Sequence, residues 1–182
     1  QRLVPRYARL QIASARSRDR RLALGVPDRR PGRIPAAFSE TLDPRSDPGW
    51  LLQLTEPVRG RARTLLPMLT RACEELDAAP VPAALDHGDL HAGNVLVRHD
   101  AVTLCDWGDA SVSHPFFSLL FTLETELASV QVPDRPRTAR RLRDAYLEPW
   151  TAIAQATALR ALFPDAYRLG SLARLLDWHE TV

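Results

Sequence analysis

Between His87 and Asp109 the chain alternates polar loops with short apolar runs, in an order that few folds accommodate. HGDLHAGN fills residues 87–94, NVLV and AVTLC follow as two β-branched runs, and DWGD begins at Asp106. Arg98, His99 and Asp100 lie between the apolar runs, so the pattern predicts a hairpin over residues 95–105. With its turn centred on His99 and Asp100, Arg98 pairs with Ala101, Val97 with Val102, and Val95 with Leu104. Asn94 then faces Cys105, and Asp106 lies one residue further on. Neighbouring strand positions stand roughly 5–8 Å apart. The hairpin therefore delivers the Asn94 amide and the Asp106 carboxylate to one edge. Asp89 precedes Asn94 by five residues in a glycine-containing loop that can fold back, so three oxygen-bearing side chains converge there.

Magnesium takes hard oxygen ligands and keeps several waters, which an amide oxygen, one carboxylate and substrate phosphates would complete. A second carboxylate off the metal can orient or deprotonate a hydroxyl. Phosphoryl transfer needs these parts: a metal to neutralise charge and a base to aim the acceptor.

HGDLHAGN followed by CDWGD resembles the catalytic and metal-binding segments of the aminoglycoside phosphotransferase family, which has a protein-kinase-like fold. The likeness is close over residues 84–115 and looser in the helices around it. It implies that Asp89 is the catalytic base and that Asn94 and Asp106 hold Mg2+. It implies that His87 supports the loop from a buried, hydrogen-bonded position. It places His91 where many kinases have a basic residue near the transferred phosphate; loop packing is the equal alternative. Asp109 is either a brace for the following loop or an accessory site residue. Ala92 stands where the family often has proline, and Trp107 replaces the phenylalanine of the kinase triplet. The implied reaction moves the γ-phosphate of ATP or GTP to a hydroxyl of a small molecule. The partners are then that acceptor and the nucleotide.

Two other readings compete. His87, Asp89 and His91 alternate and would share one face of a strand, as in a metallohydrolase. The glycines at 88 and 93 favour a loop, and no second ligand motif accompanies them. A non-catalytic kinase-like scaffold that binds small molecules or partners is the other alternative; the intact polar set argues against it.

The rest of the chain predicts helices. Residues 2–15 would turn Leu3, Tyr7, Leu10 and Ser14 to one side. Five prolines between residues 25 and 49 leave room for one short helix near Pro35–Thr41. Apolar positions 62, 65, 66, 69, 73 and 76 have helical spacing, with Pro67 delaying or kinking the helix. DAAPVPAA reads as a linker. A buried helix opens at Pro115, with Phe116, Leu119, Leu120, Leu123 and Leu127 on one face, widened by Phe117 and Phe121. A basic amphipathic helix over 134–148 turns Ala139, Leu142 and Tyr146 inward, and two more helices cover 150–162 and 165–179. His114 packs at a helix start, Cys105 is a small buried residue, and Trp50, Trp150 and Trp178 belong to core or rim. The expected fold is mainly α with a small β-hairpin, the C-terminal lobe of a kinase-like protein over residues 1–182.

All 24 basic residues are arginine, and no G-x-G-x-x-G run occurs. The phosphate-pairing lysine and covering loop of a kinase are therefore missing from these residues. The chain also starts at Gln1 rather than methionine. The expectation is that a nucleotide lobe precedes Gln1 in cis, and that these residues alone bind nucleotide poorly and turn over slowly. No residue here is assigned to the nucleotide base. A net charge of +2 gives no field for nucleic acid. Arginines crowd between Arg16 and Arg33, as in a solvated loop. No apolar run is long enough for a bilayer, and the start lacks signal-peptide order, so the cytoplasm is the expected location. Glu124, Glu126, Asp144 and Glu148 could line a pocket for a cationic acceptor, though helix surfaces carry such charges anyway.

Overall fold

The computed structural model describes residues 3–43, 45, 54–99, 101–128 and 130–180. Trp50 and Asp100 lie outside the described residues, as do the side chains of Leu120, Phe121, Glu124, Glu126 and Trp178.

Helix α1 (Leu3–Ala15) buries Val4, Tyr7, Ala8, Gln11 and Ser14, a stripe at helical spacing. The sequence places Leu10 inward, yet it is 38% exposed. The stripe is rotated because two polar residues face in. Gln11 Nε2 donates to Ser118 Oγ at 2.9 Å and to the Leu85 carbonyl at 3.2 Å, and Ser14 Oγ accepts the Leu85 N–H at 2.9 Å.

A short α2 (Arg18–Ala23) leads to β1 (Asp28–Arg29), a 3-10 turn at Pro31–Arg33 and α3 (Ile34–Thr41), the short helix expected among the prolines. The arginines here are largely paired: Arg30 and Arg33 both reach Asp28, at 2.8 and 3.1 Å. The next apolar run is two helices, α4 (Glu56–Thr64) and α5 (Leu66–Asp77), with Pro67 in the first turn of α5 where its missing N–H costs nothing. Leu69, Cys73 and Leu76 of α5 are buried, whereas Leu65 at the break is 49% exposed.

Strand β2 (Ala84–Asp86) begins at the end of the expected linker. Strands β3 (Val95–Arg98) and β4 (Ala101–Leu104) form the hairpin in the register read from the sequence: Val95 opposite Leu104, Val97 opposite Val102, Arg98 opposite Ala101. Strand β5 (Ser111–Ser113) then lies between β1, parallel to it, and β2, antiparallel. This second sheet corrects the single-hairpin expectation. Its strands have two or three residues, too few to show a period of two.

After β5, Pro115–Phe117 form a 3-10 turn and α6 (Ser118–Ala128) follows, so the helix expected from Pro115 starts with a tightened turn. His114 caps that turn: its Nδ1 accepts the Phe116 N–H at 3.3 Å. Helix α7 (Arg135–Leu147) buries Leu142, Tyr146 and Leu147, with Ala139 half-buried. Where two helices are expected there is a 3-10 turn at Pro149–Ala152 and one long helix, α8 (Ala156–Glu180), running through Pro164. Pro164 is on the exposed side, while Leu159, Phe163, Ala166, Leu169, Ala173 and Leu176 are buried on both sides of it. Packing along the whole inner face outweighs one missing backbone bond.

The core centres on Phe116, whose ring lies 5.8 Å from both Tyr146 and Trp150 and 6.3 Å from Phe163. Burying each such aromatic contributes about 1.5–3 kcal/mol. Phe116 lies three residues beyond the end of β5, so the core and the small sheet are fastened close together. No helix among the described residues is long and apolar enough to cross a membrane.

Candidate active site

The site is built outward from Asp86 at the end of β2. Its carboxylate is buried and accepts from Ser118 Oγ at 2.5 Å, Ser113 Oγ at 3.0 Å, the Gly88 N–H at 3.1 Å and Tyr7 Oη at 3.4 Å. A buried carboxylate persists only with such a set of donors. Burial, with Asp86 beside it, pushes the Tyr7 phenol well above its usual range, so it stays a donor. The same hydroxyl accepts the His87 N–H at 2.9 Å. Asp86 immediately precedes HGDLHAGN, and sequence reasoning passed over it. Its signal was a charged residue at the end of an apolar stretch, and nothing local identified its donors on α1, β5 and α6.

The loop then turns at Gly88, with φ +78°. A Cβ at this position would collide with the Asp109 carbonyl. The two polar runs therefore touch, backbone to backbone, at Gly88 and Asp109. The Asp109 side chain itself is exposed, so its contact with the loop runs through its main chain.

His87 is fully buried. Its Nδ1 accepts the Asp89 N–H at 3.3 Å and its Nε2 lies 2.9 Å from the Cys105 carbonyl. Those partners assign the proton to Nε2. The ring lies 4.6 Å from that of Trp107, whose Nε1 donates to the Leu104 carbonyl at 3.1 Å. His87 thus links Asp89 to the residue before Asp106. Both ring nitrogens are engaged within the protein, which argues against the metallohydrolase reading of HGDLH. Cys105 is half-buried rather than buried.

Asp89 faces the open side of the loop, its side chain 25% exposed. Asn94 Nδ2 donates to the Asp89 carbonyl at 2.9 Å and to its Oδ2 at 3.3 Å. Arg174 of α8 approaches the other oxygen, with Nη2 3.3 Å from Oδ1, and its Nη1 donates to the Gly88 carbonyl. His91 Nε2 is 3.4 Å from Asp89 Oδ2, and its Nδ1 accepts the Gly93 N–H at 3.0 Å, capping the 3-10 turn Ala92–Asn94. Leu90 is buried, and its carbonyl accepts from Thr122 Oγ1 at 3.0 Å, pinning the loop to α6.

The Cys105 N–H donates to the Asn94 carbonyl at 3.0 Å, so the hairpin closes as expected and Asp106 leaves its end one residue later. Asp106 is exposed and has φ +61°. Aspartate tolerates this left-handed backbone better than most residues. It turns the chain away from β4 so that Trp107 folds back onto His87.

Among the described residues no group of three His, Cys, Asp or Glu side chains forms a metal cage. The donor set suits Mg2+ nonetheless. Asn94 spends its Nδ2 on Asp89, which leaves its Oδ1 as the acceptor of that amide, and Asp106 follows the same end of the hairpin. Two hard oxygens, with the rest of the shell left to water and phosphate, is the usual arrangement for that ion.

The phosphotransferase enzyme family matches the chain over residues 6–162, and the chain belongs to that family. No curated protein and no solved structure gives a significant match.

Proposed function

We propose that this chain is the catalytic part of a small-molecule kinase, transferring the γ-phosphate of ATP or GTP to a hydroxyl. The observation that carries this reading is the hydrogen bonding of Asn94 to Asp89 at the end of the hairpin from which Asp106 emerges. Asp89 takes the proton of the acceptor hydroxyl as its oxygen forms a bond to the γ-phosphorus. The bond to the β–γ bridging oxygen breaks, and the nucleoside diphosphate leaves. Asn94 Oδ1 and Asp106 would hold Mg2+, which when bound neutralises phosphate charge. His91 lies beside the base, 3.4 Å from its carboxylate, and would contact the transferred phosphate. His87 keeps Asp89 and the hairpin end in register, and Asp109 supports Gly88 through its main chain.

The chain contains no lysine. The lysine that pairs nucleotide phosphates is therefore supplied from outside these residues, by a nucleotide lobe in cis, and arginine is a poor substitute for its compact charge. The reaction is assigned to the cytoplasm.

The test is phosphate transfer from Mg-ATP and Mg-GTP by the full-length protein, against a panel of sugars, amino alcohols and aminoglycosides. Asp89→Asn is expected to lower turnover by about 100-fold or more with nucleotide binding retained. Asp106→Ala is expected to weaken Mg-nucleotide binding. Full turnover in Asp89→Asn, or an unchanged Mg2+ dependence in Asp106→Ala, overturns the reading.

A further inference from the structure

We infer that Arg174, far along α8, is a positioning residue for the Asp89 carboxylate, and that α8 is a working part of the phosphotransfer site. This rests on the phosphotransferase reading above. Asp89 Oδ2 is approached by Asn94 and His91, both from its own loop. Its Oδ1 is approached by Arg174, which comes from 85 residues away and also donates to the Gly88 carbonyl. One guanidinium therefore grips both the side chain of the base and the backbone one residue before it. Two contacts from a planar, rigid group fix an orientation that a single contact would leave free. The Arg174 side chain is 23% exposed, so the pairing is shielded from much of the solvent.

The helix is placed to make this reach. Gly170 lies one turn before Arg174 on the same face. A Cβ on Gly170 would stand 3.2 Å from the Phe117 Cα. The bare glycine lets α8 settle onto the Pro115–Phe117 turn, and buried Leu169, Ala173 and Leu176 lock its rotation. Arg174 is then carried to the loop by backbone packing, rather than reaching it as a surface arginine would.

The acceptor is replaced in the test by water, with phosphate release from Mg-ATP and Mg-GTP measured in the full-length protein. Arg174→Gln is expected to lower kcat about 10- to 100-fold, the cost of misplacing a reacting group, while KM for nucleotide stays within about twofold. Arg174→Lys, which keeps the charge but cannot bridge both oxygens, is expected to fall between the two. Added to Asp89→Asn, Arg174→Gln is expected to lower kcat no further, because it acts through Asp89. In the 182-residue chain without nucleotide, amide exchange at residues 88–91 should rise about tenfold in Arg174→Gln, with β3 and β4 unchanged. Parental kcat in folded Arg174→Gln or in Arg174→Lys overturns the inference. So does a loss that multiplies with that of Asp89→Asn, or unchanged exchange at 88–91. Full turnover in Asp89→Asn alone overturns the phosphotransferase reading instead, and this inference with it.

Discussion

The Tyr7 hydroxyl accepts the backbone N–H of His87 at 2.9 Å, across 80 residues of sequence. Helix α1 thereby fixes the first residue of the HGDLHAGN loop. Tyr7→Phe keeps the ring in its buried place and leaves the His87 N–H without its acceptor. The expected loss is about 1–3 kcal/mol of stability, read from the urea midpoint with the slope unchanged. A midpoint equal to that of the parent would show that the loop does not depend on this bond.

His114 makes stability depend on pH. Burial lowers its pKa to about 3, against 6.5 for the free ring. As pH falls below 6.5 the unfolded chain takes up a proton that the folded chain refuses, so stability is full above 6.5 and is lost towards pH 3. The slope is about 1.4 kcal/mol per pH unit. Denaturation between pH 6.5 and 5 should show it, before most carboxylates titrate. His114→Asn retains a side-chain acceptor for the Phe116 N–H and should flatten that slope, even if it is less stable at pH 7.

Gly88 cannot carry a side chain. Its φ is +78°, and a Cβ would meet the Asp109 carbonyl, which is backbone and cannot rotate away. Gly88→Ala should cost more than the ~1 kcal/mol of left-handed strain alone, because the two polar runs must separate. Thermal unfolding measures this. A cost at or below the strain value would mean that the Gly88–Asp109 contact is not required.

Pro164 is an exposed proline inside α8. Pro164→Ala restores a backbone donor and leaves the buried face untouched, so it should stabilise the chain by about 1–3 kcal/mol. A lowered melting temperature would mean that the helix needs the distortion that proline imposes.

The hairpin register was legible because Arg98, His99 and Asp100 separate two β-branched runs, and a turn centred on His99 and Asp100 fixes each pairing from Arg98–Ala101 to Val95–Leu104. The short helix at Ile34–Thr41 and the break before Leu66 were legible from proline positions. Other features depend on contacts distant in sequence. Gln11 carries no local sign of burial until Leu85, Ser118 and Tyr146 are known to meet it. Strands of two and three residues carry too little pattern to announce a sheet. Pro164 ends a helix by local rules and is overruled by a row of buried side chains on either side. Near the candidate site, the fold-back of the loop that joins Asn94 to Asp89 and the closing of the hairpin one residue before Asp106 were legible, because the glycines permit the first and the turn at His99 sets the second. Asp86 and Arg174 were not, because their partners lie on other elements.

Under the proposed function, Asp106 stands where backbone and ligand demands coincide. Its φ of +61° favours glycine, asparagine and aspartate, and of these only aspartate brings a carboxylate. A single-residue change there must surrender either the turn or the charge, so the position has almost no neutral neighbours in sequence space. The two demands can still be separated experimentally. Asparagine keeps the turn without the charge, and glutamate keeps the charge without the turn.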